Sequence, residues 1–96
     1  MNINWRSQLA QLIFSFYRED PRQLQQVMPL QSCKISRRWG TLRVDCREQQ
    51  AAEALTNAIE VLREPIAQLR LAQQINIFVK GTLISALPVG SSKLKI

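Results

Sequence analysis

The chain contains no histidine, and this absence removes several classes of chemistry. Histidine is the commonest general base near neutral pH and the commonest nitrogen ligand of transition metals, so most metal centres and nucleophilic triads are excluded. Glycine is scarce too, since only Gly40, Gly81 and Gly90 occur. Three isolated glycines do not form a loop that cradles a phosphate. We therefore expect a protein that is not an enzyme and that holds neither a metal nor a cofactor.

The acidic residues also lack the grouping that a catalytic carboxylate pair needs. Several of them stand where they would cap a helix or pair with Arg47 and Arg63 along a helix face. The acidic residues are Glu19, Asp20, Asp45, Glu48, Glu53, Glu60 and Glu64. We interpret them as solvated helix surface rather than as an active site.

Cysteines are few, and long apolar runs are missing. Cys33 and Cys46 are the only two cysteines, whereas small secreted domains carry more. Both fall at positions that we predict to face inward on strands, which favours reduced thiols, although a disulfide between them stays open as the alternative. No run approaches the roughly 18 apolar residues of a membrane span, and the N-terminus lacks the segments of a signal peptide. These features predict a cytoplasmic protein that does not contact a membrane.

Length and charge set the remaining limits. The 96 residues, 46% of them hydrophobic, predict one domain with a modest core. Thirteen Lys and Arg against seven Asp and Glu give a net charge of +6, which indicates a preference for acidic partners. We predict that residues 1–90 form a single α+β domain and that residues 91–96 form a flexible basic tail.

The first thirty residues predict two helices. Apolar residues at helical spacing form one continuous stripe, which places Trp5 in the core. The stripe consists of Ile3, Trp5, Leu9, Leu12, Ile13, Phe16 and Tyr17. Asp20 and Pro21 are typical of an N-cap and a first helical position, and they predict a second short helix that runs to about Val27 and ends before Pro29.

A hairpin follows, because the apolar period changes to two from Leu30 onward. Cys33 and Ile35 predict one face of a strand and Lys34 the other. Arg37–Gly40 is the predicted turn, since Gly40 tolerates a positive φ. Leu42, Val44 and Cys46 then alternate with Thr41, Arg43 and Asp45, which predicts a second strand in phase with the first.

The rest of the chain predicts a long helix and a further strand. Good helix formers run from Gln49 to about Leu69, and Pro65 either bends this helix or restarts it after a stop near Arg63. A strand with Ile75, Ile77 and Val79 on one face ends at Gly81, and Thr82 to Leu87 is a candidate fourth strand. The predicted fold is a two-layer α+β domain of order α-α-β-β-α-β, with a three- or four-stranded sheet and helices on one face.

Two family resemblances can be stated on these residues. Gly40–Val44, Glu53–Ile59 and Ile75–Gly81, with Pro88 beyond, resemble a short βαβ module of cyanobacterial proteins of uncharacterised function, over about half of the chain. Members carry an aromatic residue and an arginine around the glycine and a tryptophan after the proline, where this chain has Val79, Lys80 and Val89. The strand order also resembles the KH-like domain of bacterial helicase-loader proteins, a nucleic-acid-associated group, without the glycine-bounded loop of KH domains. Neither resemblance implies a catalytic residue.

The candidate binding surface combines basic and aromatic residues on the outward sheet face and the hairpin tip. It consists of Lys34, Arg37, Arg38, Trp39, Arg43, Phe78 and Lys80. Aromatics and arginines are enriched in protein interfaces, and an open strand edge accepts an extended peptide or a second copy of the chain. We therefore expect an adaptor or assembly factor that binds another protein or itself. The alternative is single-stranded nucleic acid, whose phosphates pair with cations and whose bases stack on rings.

Overall fold

The computed structural model describes residues 5–90, with side chains from residue 8 onward. Two predictions, the basic tail at 91–96 and the burial of Trp5, lie outside the described backbone or side chains and stay predictions. The elements in chain order are α1 (Trp5–Phe16), α2 (Pro21–Val27), a 3₁₀ helix (Met28–Ser32), β1 (Lys34–Arg38), β2 (Thr41–Cys46), α3 (Gln49–Asn57), α4 (Ile59–Gln68), β3 (Gln74–Val79) and β4 (Thr82–Pro88). The predicted α+β class is confirmed, and the order differs by the divided long helix and the fourth strand.

The four strands form one mixed sheet in the order β1-β2-β3-β4. β1 and β2 are antiparallel, β2 and β3 are parallel, and β3 and β4 are antiparallel. A parallel pair needs a long crossover, which α3 and α4 supply. β2, the two helices α3 and α4, and β3 therefore form a βαβ unit.

Both hairpins close with two residues at positive φ. Trp39 and Gly40 have φ of 54° and 75°, and Lys80 and Gly81 have φ of 50° and 84°. Two-residue turns of this kind match the twist of the flanking strands. The predicted four-residue turn is corrected, because Arg38 pairs with Thr41 and Arg37 is already part of β1. Lys80 is likewise a turn residue and not the last residue of β3.

The core lies between the helices and one face of the sheet. α1 packs against β1, and α3 packs against β2 and β3. Inward apolar side chains of β1, β2 and β3 are fully buried, as the alternation predicts. They include Ile35, Leu42, Val44, Ile75 and Ile77, each at most 1% exposed.

The beginning of α2 follows the predicted capping, but β1 begins later than predicted. The Asp20 Oδ1 atom accepts a hydrogen bond from the Gln23 backbone N–H at 3.3 Å, and Pro21 opens the helix. Residues 28–32 form the 3₁₀ helix, so Leu30, from which the strand period was predicted to run, is not part of a strand. Leu30 points into the core from this helix and is 1% exposed, so its apolar character reflects burial and not strand alternation.

The long helix is interrupted at Ala58 and continues through Pro65. Ala58 has φ −102° and ψ 26° and separates α3 from α4. Of the two alternatives for Pro65, a stop near Arg63 is excluded, because α4 runs from Ile59 to Gln68. Pro65 has no N–H to donate to the carbonyl of Val61, four residues earlier, and the hydroxyl of Tyr17 donates to that oxygen at 2.7 Å instead. A contact from the end of α1 thus satisfies the acceptor that the proline leaves free.

Candidate binding surface on the open sheet face

The side chains on the sheet face opposite the helices form three rows of four, and we call this surface the open face. It follows from the strand register, because residues directly opposite one another on neighbouring strands share a face. The rows are Arg38, Thr41, Gln74 and Pro88; Ser36, Arg43, Asn76 and Ala86; and Lys34, Asp45, Phe78 and Leu83.

The open face changes in character from one edge of the sheet to the other. β1 contributes Lys34, Ser36 and Arg38, which are polar or basic. β4 contributes Leu83, Ala86 and Pro88, which are apolar and exposed. One half of the surface therefore suits anionic groups and the other half suits apolar side chains.

The centre of the open face is occupied by a stack of three side chains. The Arg43 guanidinium lies 4.0 Å from the centroid of the Phe78 ring, and its Nε donates to Asp45 Oδ2 at 2.9 Å. The carboxylate therefore pairs with Arg43, while the guanidinium covers one face of the ring. A depression of about 390 Å³ beside this stack extends to Arg38 and Trp39 at the hairpin tip.

The structure brings most of the predicted surface residues together, but not Arg37. Lys34, Arg38, Arg43 and Phe78 lie on the open face. Trp39 and Lys80 lie in the turns at opposite ends of it, and Trp39 is 90% exposed.

Arg37 faces the helix side of the sheet, where it donates from Nη1 to the Leu71 carbonyl at 3.2 Å. In a strand, neighbouring residues point to opposite faces, so Arg37 and Arg38 do not share the surface predicted for both.

Sequence reasoning missed the apolar side chains of β4. Leu83 is 49% exposed and the neighbouring Ile84 is 40% exposed. The pairing of β4 with β3 shifts register between Ile77 and Phe78, which leaves Ile84 as an extra residue in β4. Because of this bulge, Leu83 and Ala86 share one face although they stand three positions apart, and strict alternation does not identify them as neighbours.

Both cysteines are free thiols, as predicted, and they meet at one end of the sheet. Their Sγ atoms lie 3.3 Å apart. Burial raises the pKa of Cys33. Burial, with a smaller contribution from the hydrogen bond between the two thiols, raises the pKa of Cys46 to about 12. Both thiols are therefore protonated near neutral pH and are poor nucleophiles.

Within residues 5–90, no three side chains of the metal-binding types Cys, Asp and Glu are grouped so as to hold an ion. None of the helices in that range is long and apolar enough to cross a bilayer. No protein-family model matches the chain, and comparisons with curated proteins and with solved structures give no significant match. The two resemblances noted from the sequence thus remain expectations, and the open face is the basis for a functional proposal.

Proposed function

We propose that the protein is a non-enzymatic interaction module, an adaptor or assembly factor whose open face binds a partner protein. The observation that carries this proposal is the exposed apolar half of the face, where Phe78 and Leu83 are directly opposite each other on neighbouring strands and the adjacent Ile84 is 40% exposed. Contiguous exposed apolar groups with a polar border are typical of binding sites.

Charge favours a partner with an acidic segment over a second copy of this chain. The net charge is +6, and Lys34 and Arg38 lie on the β1 half of the open face. Two such faces brought together would repel each other, whereas aspartate or glutamate beside a leucine-like residue would complement both halves.

The size of the surface indicates a short segment and not a large rigid interface. Four strands about 4.8 Å apart and about five residues long cover roughly 300 Å². A standard interface buries about 800 Å² on each partner. We infer that an extended segment of the partner lies across the open face and binds transiently.

Single-stranded nucleic acid, the other class that the sequence suggests, has weaker support. One ring face of Phe78 is covered by Arg43 and is not free for a base to stack on. Arg43 is paired with Asp45, and Arg37 is bound to a backbone carbonyl on the other side of the sheet. The apolar residues of β4 would also have no counterpart in a phosphate backbone.

A library of displayed random peptides tests the proposal. Selection on the purified protein should enrich peptides that combine acidic and large apolar residues. A chosen peptide should lose about tenfold in affinity with Leu83→Ser, which removes one large apolar contact. Leu69→Ser is the matched control, because Leu69 is similarly exposed at 43% but follows α4, away from the open face.

Two results would overturn the proposal. The first is a selection that enriches no peptide, together with tight binding of a thymidine oligonucleotide that weakens steeply as the salt concentration rises. The second is self-association at micromolar concentration, seen by sedimentation and abolished by Leu83→Ser, which would assign the face to a second copy.

The proposed setting is the cytoplasm. The pair of reduced thiols supports this inference, because disulfides persist in oxidising compartments and are rare where thiols are kept reduced.

A further inference from the structure

A depression at one end of the sheet, which we call the end pocket, lies outside the open face but adjoins it. Its volume is about 420 Å³, and it is lined by Lys34, Asp45, Cys46, Arg47, Lys80 and Gly81. It lies where the parallel strands β2 and β3 end, at Cys46 and Val79. In sheets with parallel strands, ligands bind preferentially outside the carboxyl ends of those strands.

Cations without a partner are concentrated in the end pocket. Among the described residues, six basic side chains make no hydrogen bond or ion pair: those of Arg22, Lys34, Arg38, Arg47, Arg70 and Lys80. Three of these line the end pocket. The larger depression at the opposite end of the sheet, about 570 Å³, has only Arg70.

The carboxylate in the end pocket does not neutralise these cations. Asp45 Oδ2 already accepts from Arg43 at 2.9 Å. The lining therefore keeps an excess of positive charge from Lys34, Arg47 and Lys80. Like charges held together destabilise a fold unless something bound there compensates them.

We propose that the end pocket binds a phosphoryl group, a doubly charged oxyanion, carried by the partner segment on the open face. Lys34 belongs to both surfaces, so a segment lying along the row of Lys34, Asp45, Phe78 and Leu83 reaches the end pocket directly. Arg47 supplies a planar fork that matches two phosphate oxygens, and the two lysines supply point charges. The location of the phosphoryl group on a partner rests on the function proposed above, whereas the anion site does not.

Inorganic phosphate tests the anion site without a partner. We expect a titration followed by NMR, at constant ionic strength, to shift the amides of Arg47, Lys80 and Gly81 saturably, with a Kd of about 1 mM. Arg47→Gln should raise that Kd at least about fivefold by removing the bidentate donor. Arg22→Gln is the matched control, an unpaired cation on α2, and should leave the Kd unchanged. Shifts that do not saturate, or equal weakening by Arg22→Gln, would overturn the proposal.

A pair of peptides that differ only in serine or phosphoserine, next to a leucine, tests the source of the phosphoryl group. We expect the phosphopeptide to bind about tenfold more tightly than inorganic phosphate, because its leucine adds a contact to the open face. Leu83→Ser should remove that gain and leave phosphate binding intact. A phosphopeptide no tighter than phosphate would support the end pocket as a site for a free phosphate compound and overturn its assignment to the partner. If the wild-type protein binds the selected acidic peptides but not phosphate, the anion site in the end pocket is overturned and the proposed function is not.

Discussion

At the scale of single residues, the hydroxyl of Tyr17 supplies a hydrogen bond that the backbone of α4 cannot make. Pro65 lacks the N–H that would bond to the Val61 carbonyl, and a part-buried carbonyl without a donor is costly. The 2.7 Å bond from Tyr17 satisfies this carbonyl and joins α1 to α4. The proline and the tyrosine are therefore coupled although 48 positions separate them in the chain.

Tyr17→Phe should lower the free energy of unfolding by about 1–2 kcal/mol, because it leaves the Val61 carbonyl without a donor. Urea denaturation measures this loss. In a Pro65→Ala background the helix regains its own N–H donor, so the same substitution should cost less. An equal cost in both backgrounds would show that the contribution of the Tyr17 hydroxyl does not depend on the N–H that Pro65 lacks.

Trp39 combines a strained backbone with an exposed ring. Its φ is 54° and its exposure is 90%, so no packing within the described residues compensates the strain. Residues held in sparsely populated conformations are found preferentially at functional sites. Arg38 and the depression beside Phe78 lie next to it.

Trp39→Asn should stabilise the protein by about 1 kcal/mol, because Asn tolerates a positive φ before Gly40 in a two-residue turn. The same change should weaken binding of peptides selected on the open face. Thermal unfolding and peptide affinity measure the two effects. Trp39→Ala separates them, since it removes the ring but keeps the strain; if Trp39→Ala bound such peptides as tightly as the wild type, the ring would have no binding role.

At the scale of secondary-structure elements, local signals explain α2 and both hairpin turns. Asp20 accepts from the Gln23 amide and Pro21 occupies the first position, as the pair predicts. Trp39-Gly40 and Lys80-Gly81 each end in a glycine at positive φ, which a two-residue turn needs. Such elements can be predicted from the sequence because the residues that determine them lie within four positions of one another.

Asp20→Ala should lower the free energy of unfolding by about 0.5–2 kcal/mol, the usual cost of losing an N-cap acceptor. Asp20→Asn keeps an acceptor oxygen and serves as the control, with a small effect expected in the same urea titration. Comparable losses in the two variants would show that the charge of Asp20, and not its hydrogen bond, stabilises α2.

At the scale of the whole molecule, the Tyr17 hydroxyl and the Cys46 thiol make the folded state less stable at alkaline pH. Burial, with smaller contributions from Glu64 and Asp20, raises the pKa of Tyr17 from 10.0 to about 12. Burial raises the pKa of Cys46 from 9.0 to about 12. The unfolded chain releases these protons first, so their contribution is complete below about pH 9 and declines as pH rises toward 12.

Urea midpoints at pH 7.5 and pH 10.5 measure this decline. We expect Cys46→Ala to show a smaller difference between the two midpoints than the wild type, because one of the shifted groups is gone. Arg22→Gln, which changes an exposed side chain on α2, should keep the full difference. A difference unchanged by Cys46→Ala would exclude the thiol as a cause.

The amino-acid sequence alone determines much of this fold. Period-two alternation in Ile35, Val44 and Ile77 identifies the inward face of the sheet, and the helical stripes identify the helices. It also indicates the seven candidate surface residues, six of which lie on or at the ends of the open face. These features can be predicted because each depends on the spacing of apolar and polar residues along the chain.

Tertiary structure decided the rest, because the causes lie far apart in the chain. The continuation of α4 through Pro65 depends on the hydroxyl of Tyr17, which donates to the Val61 carbonyl. The apolar half of the open face depends on the β4 bulge, because the extra residue places Leu83 on a face that strict alternation along β4 does not predict. Arg37 is bound to Leu71 and Arg43 to Asp45, and only folding selects which cations keep partners and which three converge unpaired at the end of the sheet.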